Sequence, residues 1–469
     1  MKSGLNYKLS ELAQLKIHFI GIGGAGMSGI ARIMLAKGFS ISGSDKSDSS
    51  TLTALKALGA KIYVGHAAEN LADTQLVIVS SAITENNPEF AEAKSRGIPI
   101  AARAVALAWL MSESTSVAVA GTHGKTTTTA MLTVALQSAG LDPSFAIGGT
   151  INTAGINAHS GSGSIFVAEA DESDGSFLAY KPTGAIITNV ELDHVDHFAD
   201  EEAVYAVFED FISSIKDDGF LVACGDDPGV KTLLSRITRS DLKIYLYGKG
   251  SSNDFRIDQI NLAPNSSRAI ISITGRKVGE LNLTVVGEHN LLNALAAFAA
   301  ATAMGGSEEK LLAGLKAFTG TRRRFELKGE VGGIKVIDDY GHHPTEVLVT
   351  LKAARNLAGA GRVIVIFQPH RYSRTAAFTN QFSNSLALAD FTYLLEVYAA
   401  SEKPIPGVSS LLIARGMKAE QVKFEPSMLQ VVSDVADMAK SGDLILTLGA
   451  GDVSSLGDPI LQALASRFA

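Results

Sequence analysis

The stretch 118-AVAGTHGKTTTTAML-132 decides the fold. A short apolar strand runs into Gly121-Thr122-His123-Gly124-Lys125-Thr126-Thr127 and then into a helix-like segment. A phosphate-binding P-loop has Gly, four residues, then Gly-Lys-Ser/Thr. Here Val119 stands five positions before Gly124, and the nearest earlier glycine is Gly121, so the loop is short. Strand, glycine turn and helix N-terminus together still favour a phosphate. Lys125 can reach the β- and γ-phosphates, and the Thr126 hydroxyl can ligate Mg²⁺. Thr126 to Thr129 are poor helix formers, so their run argues for a role beyond helix stability. The plain alternative is a surface lysine on a turn.

The rhythm of strand, Gly-rich turn and helix repeats outward from this point, which predicts α/β domains with mostly parallel sheets. One unit opens at 16-KIHFIGIGGAGMSGIARIMLAKG-38, with 40-SISGSD-45, 61-KIYVG-65 and 76-LVIVSSAI-83 as its next strands. The central unit has SVAVAG, SIFVAEA, GAIITNV, GFLVACG and KIYLYG as strands. Residues 254–286 then alternate polar and apolar like antiparallel strands. A third unit begins at 334-IKVIDDY-340. The expected cuts give residues 1–111 as an N-terminal Rossmann-like domain, 112–321 as a central P-loop-type mononucleotide-binding sheet, and 322–469 as a C-terminal Rossmann-like domain.

The chain has 469 residues, too many for a single core. Net charge is −7, and the longest basic run is Arg322-Arg323-Arg324, which argues against nucleic acid as a partner. One cysteine, Cys224, can form no internal disulfide. The opening MKSGLNYKLSELAQLK has no apolar h-region, and no apolar run reaches the ~18 residues of a membrane span. A cytoplasmic protein without stable membrane insertion is expected.

Further candidate sites fall at strand ends. Gly21-x-Gly23-x-x-Gly26, with Gly24, Ala25 and Met27, follows a strand and opens a helix, as a pyrophosphate-cradling turn does. Asp45, about 20 residues on, stands where a ribose-binding acid lies in dinucleotide folds. An unliganded βα turn is the alternative. In 167-VAEADESDGSF-177, Glu169, Asp171, Glu172 and Asp174 crowd a strand end, where a cation or solvent must relieve their repulsion. Only Glu169 is assigned a metal role. In 188-TNVELDHVDHF-198, Asp193, His194, Asp196 and His197 form a mixed His and carboxylate set better suited to Mg²⁺ beside a P-loop than to zinc. Asn290 and Asn293 share a helix face and can read an adenine edge, with helix capping as the alternative. In the third unit, TRRRFE, DDYGHHPTEV and FQPHRYSRT gather Arg, His and Tyr, and Arg371 and Arg374 can clamp a carboxylate or phosphate.

The set IGIGGAGM, GTHGKTTT, EADESD, ITNVELDHVDHF, GEHNLLNALAA, RRRFE, DDYGHHPTE and HRYSRT resembles the Mur ligase family, in order from about residue 17 to 375. The resemblance implies an ATP- and Mg²⁺-dependent ligase that joins L-alanine to the carboxylate of UDP-N-acetylmuramate through an acyl phosphate, in peptidoglycan synthesis. It implies Thr126, Glu169 and His194 as metal ligands and Lys125 as the phosphate lysine. Gly121 to Thr127, Asn290, Asn293, Arg323 and Asp339 would serve ATP. Gly21, Gly23 to Met27, Asp45, Ser81, Arg371 and Arg374 would serve the sugar nucleotide. Lys125, His194, His342 and Arg374 would carry catalysis. The partners implied are the two small-molecule substrates, and a homodimer is compatible with them. Three other readings of these motifs exist. A ligase attaching a preformed peptide is disfavoured by DDYGHHPTE with HRYSRT. An NAD-dependent dehydrogenase leaves GTHGKTTT unused, and a non-enzymatic nucleotide binder leaves the metal and clamp residues idle.

Overall fold

A computed structural model of the chain describes residues 7–152, 154–173 and 175–468. Two compact units divide the chain. The first holds the residues through Val190, Tyr205–Phe255 and Ala296–Gly314; the second holds Glu191–Val204, Arg256–Leu295 and everything from Leu315 onward.

The first unit opens with strands β1 (Lys16–Ile20), β2 (Ser40–Asp45), β3 (Lys61–Val64), β4 (Leu76–Val79) and β5 (Ile100–Ala102). They form a parallel sheet in the order β3-β2-β1-β4-β5. Ile17, Phe19 and Ile20 of β1 and all of β4 are buried, as a sheet covered on both faces requires. The order reverses between β1 and β4, so the carboxyl end of β1 is a switch point where ligands bind. The Gly21 turn lies there. Strand β4 stops at Val79, short of the expected Ile83, because Ser80 begins a turn.

Seven more strands follow: β6 (Thr115–Ala120), β7 (Ser144–Ala146), β8 (Ala158–His159), β9 (Ile165–Glu169), β10 (Gly184–Ile187), β11 (Phe220–Cys224) and β12 (Lys243–Gly248). Their order is β12-β11-β10-β6-β9-β7-β8, parallel except for β8 against β7. The chain leaves β6 towards β7 and β9 on one side and returns to β10 on the other. The end of β6 is therefore a second switch point, and Gly121 is its next residue. Strands β5, β7 and β8 are three residues or fewer, too short to carry a readable hydrophobic period.

The second unit contains β13 (Phe255–Ala263), β14 (Ser266–Ile273) and β15 (Arg276–Leu283), a meander in which β14 and β15 pair antiparallel, as the alternation predicts. Strands β16 (Glu326–Val331), β17 (Ile334–Asp339), β18 (Val363–Phe367), β19 (Phe391–Leu394), β20 (Val422–Phe424) and β21 (Leu444–Leu448) form a sheet in the order β16-β17-β21-β18-β19-β20. Only β16 is antiparallel. The ends of β17, β18 and β21 bring together Asp339–His343, Gln368–Arg374 and Gly449–Gly451. Pro344 opens the helix Pro344–Ala358 as expected, with His343 capping it. Among the described residues no helix is long and apolar enough to cross a membrane.

Candidate functional site

The short P-loop is held by sterics and by the end of β10. Gly121 has φ +128°, and a Cβ there would lie 2.1 Å from the Thr188 hydroxyl, so only glycine fits. Gly124, at φ +82°, turns the chain into the helix Lys125–Ser138. Asn189 moors the loop, accepting from Thr122 N at 3.1 Å and from His123 N at 2.8 Å. Of the threonine run, Thr128 and Thr129 are fully buried, and the Thr129 hydroxyl donates to the Lys125 carbonyl at 2.7 Å. Part of that run therefore serves packing, not phosphate contact. Thr127 follows Thr126 in the first helical turn.

Two acids at the end of β9 divide the work. The Thr126 hydroxyl donates to Glu169 Oε1 at 2.8 Å, and Gly148 N donates to Glu169 Oε2 at 2.6 Å. A hydroxyl and a carboxylate side by side are hard oxygen donors, which suit Mg²⁺. The Lys125 ammonium donates to Gly121 O at 2.7 Å and to Thr122 O at 3.1 Å, and reaches both oxygens of Glu172 at 2.9–3.0 Å. Burial pushes Glu172 up to about 7, Asp171 adds to this, and Lys125 pulls against it. Burial opposes the charge on Lys125, but Glu172, Asp171 and Glu169 together raise it above its usual value. Lys125 is thus a fixed cation, and Glu172 is the partner that sequence reasoning left unassigned. Asp171 accepts from Ser173 N at 3.1 Å. Asp174 lies outside the described residues.

The glycine turn of the first sheet borders two clefts. One, of about 690 Å³, is lined by Gly21, Gly23 and Gly24, by Asp45 to Ser49, and by His66, Ser80 and Asn87. Asp45 Oδ2 accepts from Gly23 N at 2.8 Å, so this acid braces the turn. The other, of about 280 Å³, runs from Gly24, Ala25, Gly26 and Met27 to Gly148, Glu169 and Asp171. Asn157, which lines it, donates to Ala25 O at 2.9 Å. Ser80 lines both clefts, and Ser81 is exposed in the turn beside it. Arg103, at the first position of the helix Arg103–Ser112, lies against Gly26 in the second cleft. Sequence reasoning missed it; an arginine directly after the strand IAA was the available signal.

In the second unit the candidates are heavily paired. Arg374, only 2% exposed, donates from Nε to Asp193 Oδ1 at 2.8 Å, and its Nη2 lies 2.7 Å from the same oxygen. Burial would raise Asp193, but Arg374 outweighs it, with His194 and His342 adding, and holds the acid well below the carboxylate range. Arg371 pairs with Asp196. Both guanidinium groups expected to clamp substrate are therefore engaged by acids of the LDHVDHF segment. His194 has φ +50° and donates its N–H to Asp193 Oδ1 at 2.7 Å. Arg323 stacks on Tyr340 at 4.8 Å and donates to Gly449 O at 2.8 Å. Asp339 accepts from Phe325 N, Gly341 N and the Thr350 hydroxyl, yet burial pushes it up to about 6. Asn290 and Asn293 are both buried, and Asn290 Nδ2 donates to Val286 O at 2.8 Å.

Three histidines of this unit sit far below 6.5: His289 at about 4, His342 at about 3 and His370 at about 4. Burial is the main cause in each. The fold keeps the rings neutral, while the unfolded chain protonates them near 6.5. The stability they contribute is full above pH 6.5 and is lost as pH falls towards 4 and below. Glu172 and Asp339, raised to about 7 and about 6, take up protons in the same window and oppose this loss, so the histidine share is read as a difference. His289→Gln should lose less stability than wild type between about pH 7 and pH 5, and equal changes in the two denaturant midpoints contradict this account.

Comparison with known proteins bears on the same residues. The family models described as Mur ligase family, catalytic domain, Mur ligase middle domain, and Mur ligase, glutamate ligase domain match residues 16–115, 119–301 and 323–451. The chain is 49% identical over 462 residues to a UDP-N-acetylmuramate–L-alanine ligase of Renibacterium salmoninarum, covering 98% of each chain. It is similar to the solved UDP-N-acetylmuramate–alanine ligase of Thermotoga maritima, with TM-score 0.80 and 28% identity over 97% of this chain and 100% of that one. A murein peptide ligase of Psychrobacter arcticus matches at TM-score 0.71 and 27% identity, over 96% and 99% of the two chains. The architecture is three-domain α/β with parallel sheets.

Proposed function

The chain belongs to the Mur ligase family, and from that membership we propose that it is an ATP-dependent amide-forming ligase, joining L-alanine to the carboxylate of UDP-N-acetylmuramate in cytoplasmic peptidoglycan precursor synthesis. One observation carries the reading. A single cleft runs from the glycine turn at Gly24–Met27 to Glu169, the acid bonded to the P-loop threonine. A sugar nucleotide held by the turn can present its far end beside the phosphate loop.

A carboxylate at neutral pH is a poor electrophile for an amine. Transfer of the γ-phosphoryl group of ATP to a carboxylate oxygen makes an acyl phosphate. The alanine amine then attacks the acyl carbon, the amide forms and phosphate leaves. The protein's share is positioning and charge stabilisation. Lys125 offers a fixed ammonium to the transferred group. The loop Gly121 to Thr127 is proposed for the ATP phosphates, with Thr122 N and His123 N already held by Asn189 and the backbone N–H groups of Gly124 to Thr127 left for the phosphate oxygens. Asn290, Asn293, Arg323 and Asp339 are proposed for the rest of ATP. His342 is proposed for the carboxylate end of the substrates, and Arg371 and Arg374 would serve it only by exchanging Asp196 and Asp193 for the substrate. Mg²⁺, held by Thr126, Glu169 and His194, would neutralise phosphate charge. Residues 1–111 would hold the sugar nucleotide, 112–321 ATP, and 322–469 the amino acid.

Purified protein is expected to release phosphate from ATP only when UDP-N-acetylmuramate and L-alanine are both present, with the amide found by mass spectrometry. Release without alanine, or turnover only with a preformed peptide, overturns the reading.

A further inference from the structure

The larger cleft of the first sheet has one wall built on a buried acid. Glu89 lies in the first turn of the helix Pro88–Ser95 and is fully buried. Oε2 accepts from the Ser44 hydroxyl at 2.5 Å and lies 3.2 Å from His66 Nδ1. Oε1 accepts from Asn70 Nδ2 at 2.6 Å and from Ala67 N at 3.4 Å. His18, also fully buried, brings Nε2 to 3.7 Å from the same carboxylate. Burial alone would raise Glu89, but His18, Ser44 and Asn70 hold it at about 2. A buried carboxylate is costly unless its oxygens are filled, and here they are.

An ionised carboxylate only accepts, and the Ser44 hydroxyl, 3.0 Å from His66 Nδ1, already donates to Glu89, so both groups at Nδ1 call for a proton there; in the neutral ring Nε2 is then the acceptor. The Nδ1 edge faces the buried acid. His66 lines the cleft with Asp45 and Ser80; with Nδ1 turned to the acid, Nε2 is the ring nitrogen left for a ligand there. This cleft is the one on the β2 and β3 side of the glycine turn. The other leads to Glu169, where the reacting carboxylate must lie. With the diphosphate on the turn, the nucleoside falls on the His66 side.

We propose that His66, oriented by Glu89, is a specificity-determining residue whose Nε2 accepts a hydrogen bond from an N–H or O–H donor on the nucleoside half of the sugar nucleotide. The inference rests on the reading that this turn binds the UDP moiety. Glu89 is then a positioning residue, acting through the tautomer of His66.

His66→Phe keeps a planar aromatic ring, slightly larger, and removes both the Nε2 acceptor and the Nδ1 group facing Glu89. It should raise KM for UDP-N-acetylmuramate about tenfold, with kcat and the KM for ATP and alanine unchanged. Glu89→Gln presents an amide that can donate to Nδ1, and should give the same split. Calorimetry with UDP, N3-methyl-UDP and 2′-deoxy-UDP identifies the donor. Wild type should lose about tenfold against the analogue lacking it, and His66→Phe should bind that analogue and UDP alike. Thermal unfolding of His66→Phe checks its fold; if Glu89→Gln does not fold, His66→Phe carries the test. A His66→Phe that binds UDP as wild type does overturns this inference alone. Failure of the wild type to bind UDP overturns the cleft reading on which it stands.

Discussion

Lys125→Ala should lower kcat for phosphate release by about a thousandfold, the upper end of what removing one preorganised charge donor costs. The ammonium lies at the first position of the P-loop helix and is fixed by two loop carbonyls and Glu172. No other lysine stands in the loop 121–127 to replace it. The substitution also leaves Glu172 buried without its cation. Breaking a buried pair ordinarily costs about 3–5 kcal/mol. The loss here should be smaller, because Glu172 already sits at about 7 and can take up a proton. Lys125→Ala combined with Glu172→Gln should recover stability while remaining inactive, which separates chemistry from folding. A Lys125→Ala enzyme with more than about a tenth of wild-type turnover removes the lysine from the mechanism.

Asp193→Ala should cost more in stability than Lys125→Ala. Asp193 and Arg374 are 4% and 2% exposed and lie 2.7 Å apart. Removing the acid strands a buried guanidinium, and arginine cannot shed its proton. The full cost of about 3–5 kcal/mol is therefore expected, read as a lowered denaturant midpoint. Asp193→Asn retains an acceptor for Nε and should lose less. Asp193→Ala with Arg374→Met should regain much of the loss, because an apolar pair of similar volume needs no compensation. Equal midpoints for wild type and Asp193→Ala would mean that the pair carries no stability. Asp193 also accepts the N–H of His194, whose positive φ needs such support.

The readable parts of the fold are those with local causes. GTHGKT announces its turn because Gly121 and Gly124 adopt φ values that side chains resist. The apolar runs of β1, β6, β9 and β18 announce buried parallel strands. The three-residue strands β5, β7 and β20 announce nothing, since their existence depends on the neighbour they pair with. The candidate site divides in the same way. Thr126 and Glu169 were legible because each ends or follows a strong strand. Arg103 was missed because a single arginine at a helix start is common.

Sequence alone determined the α/β rhythm, the two glycine turns at strand ends and the family, because backbone sterics and hydrophobic period are short-range properties. Only the tertiary structure decided the charge pairs. Lys125 takes Glu172 from 47 residues away, and Arg374 takes Asp193 from 181. Between Asp171 and Glu172 nothing local distinguishes the lysine's partner. Burial does, and burial follows from which strand ends the sheet order brings side by side.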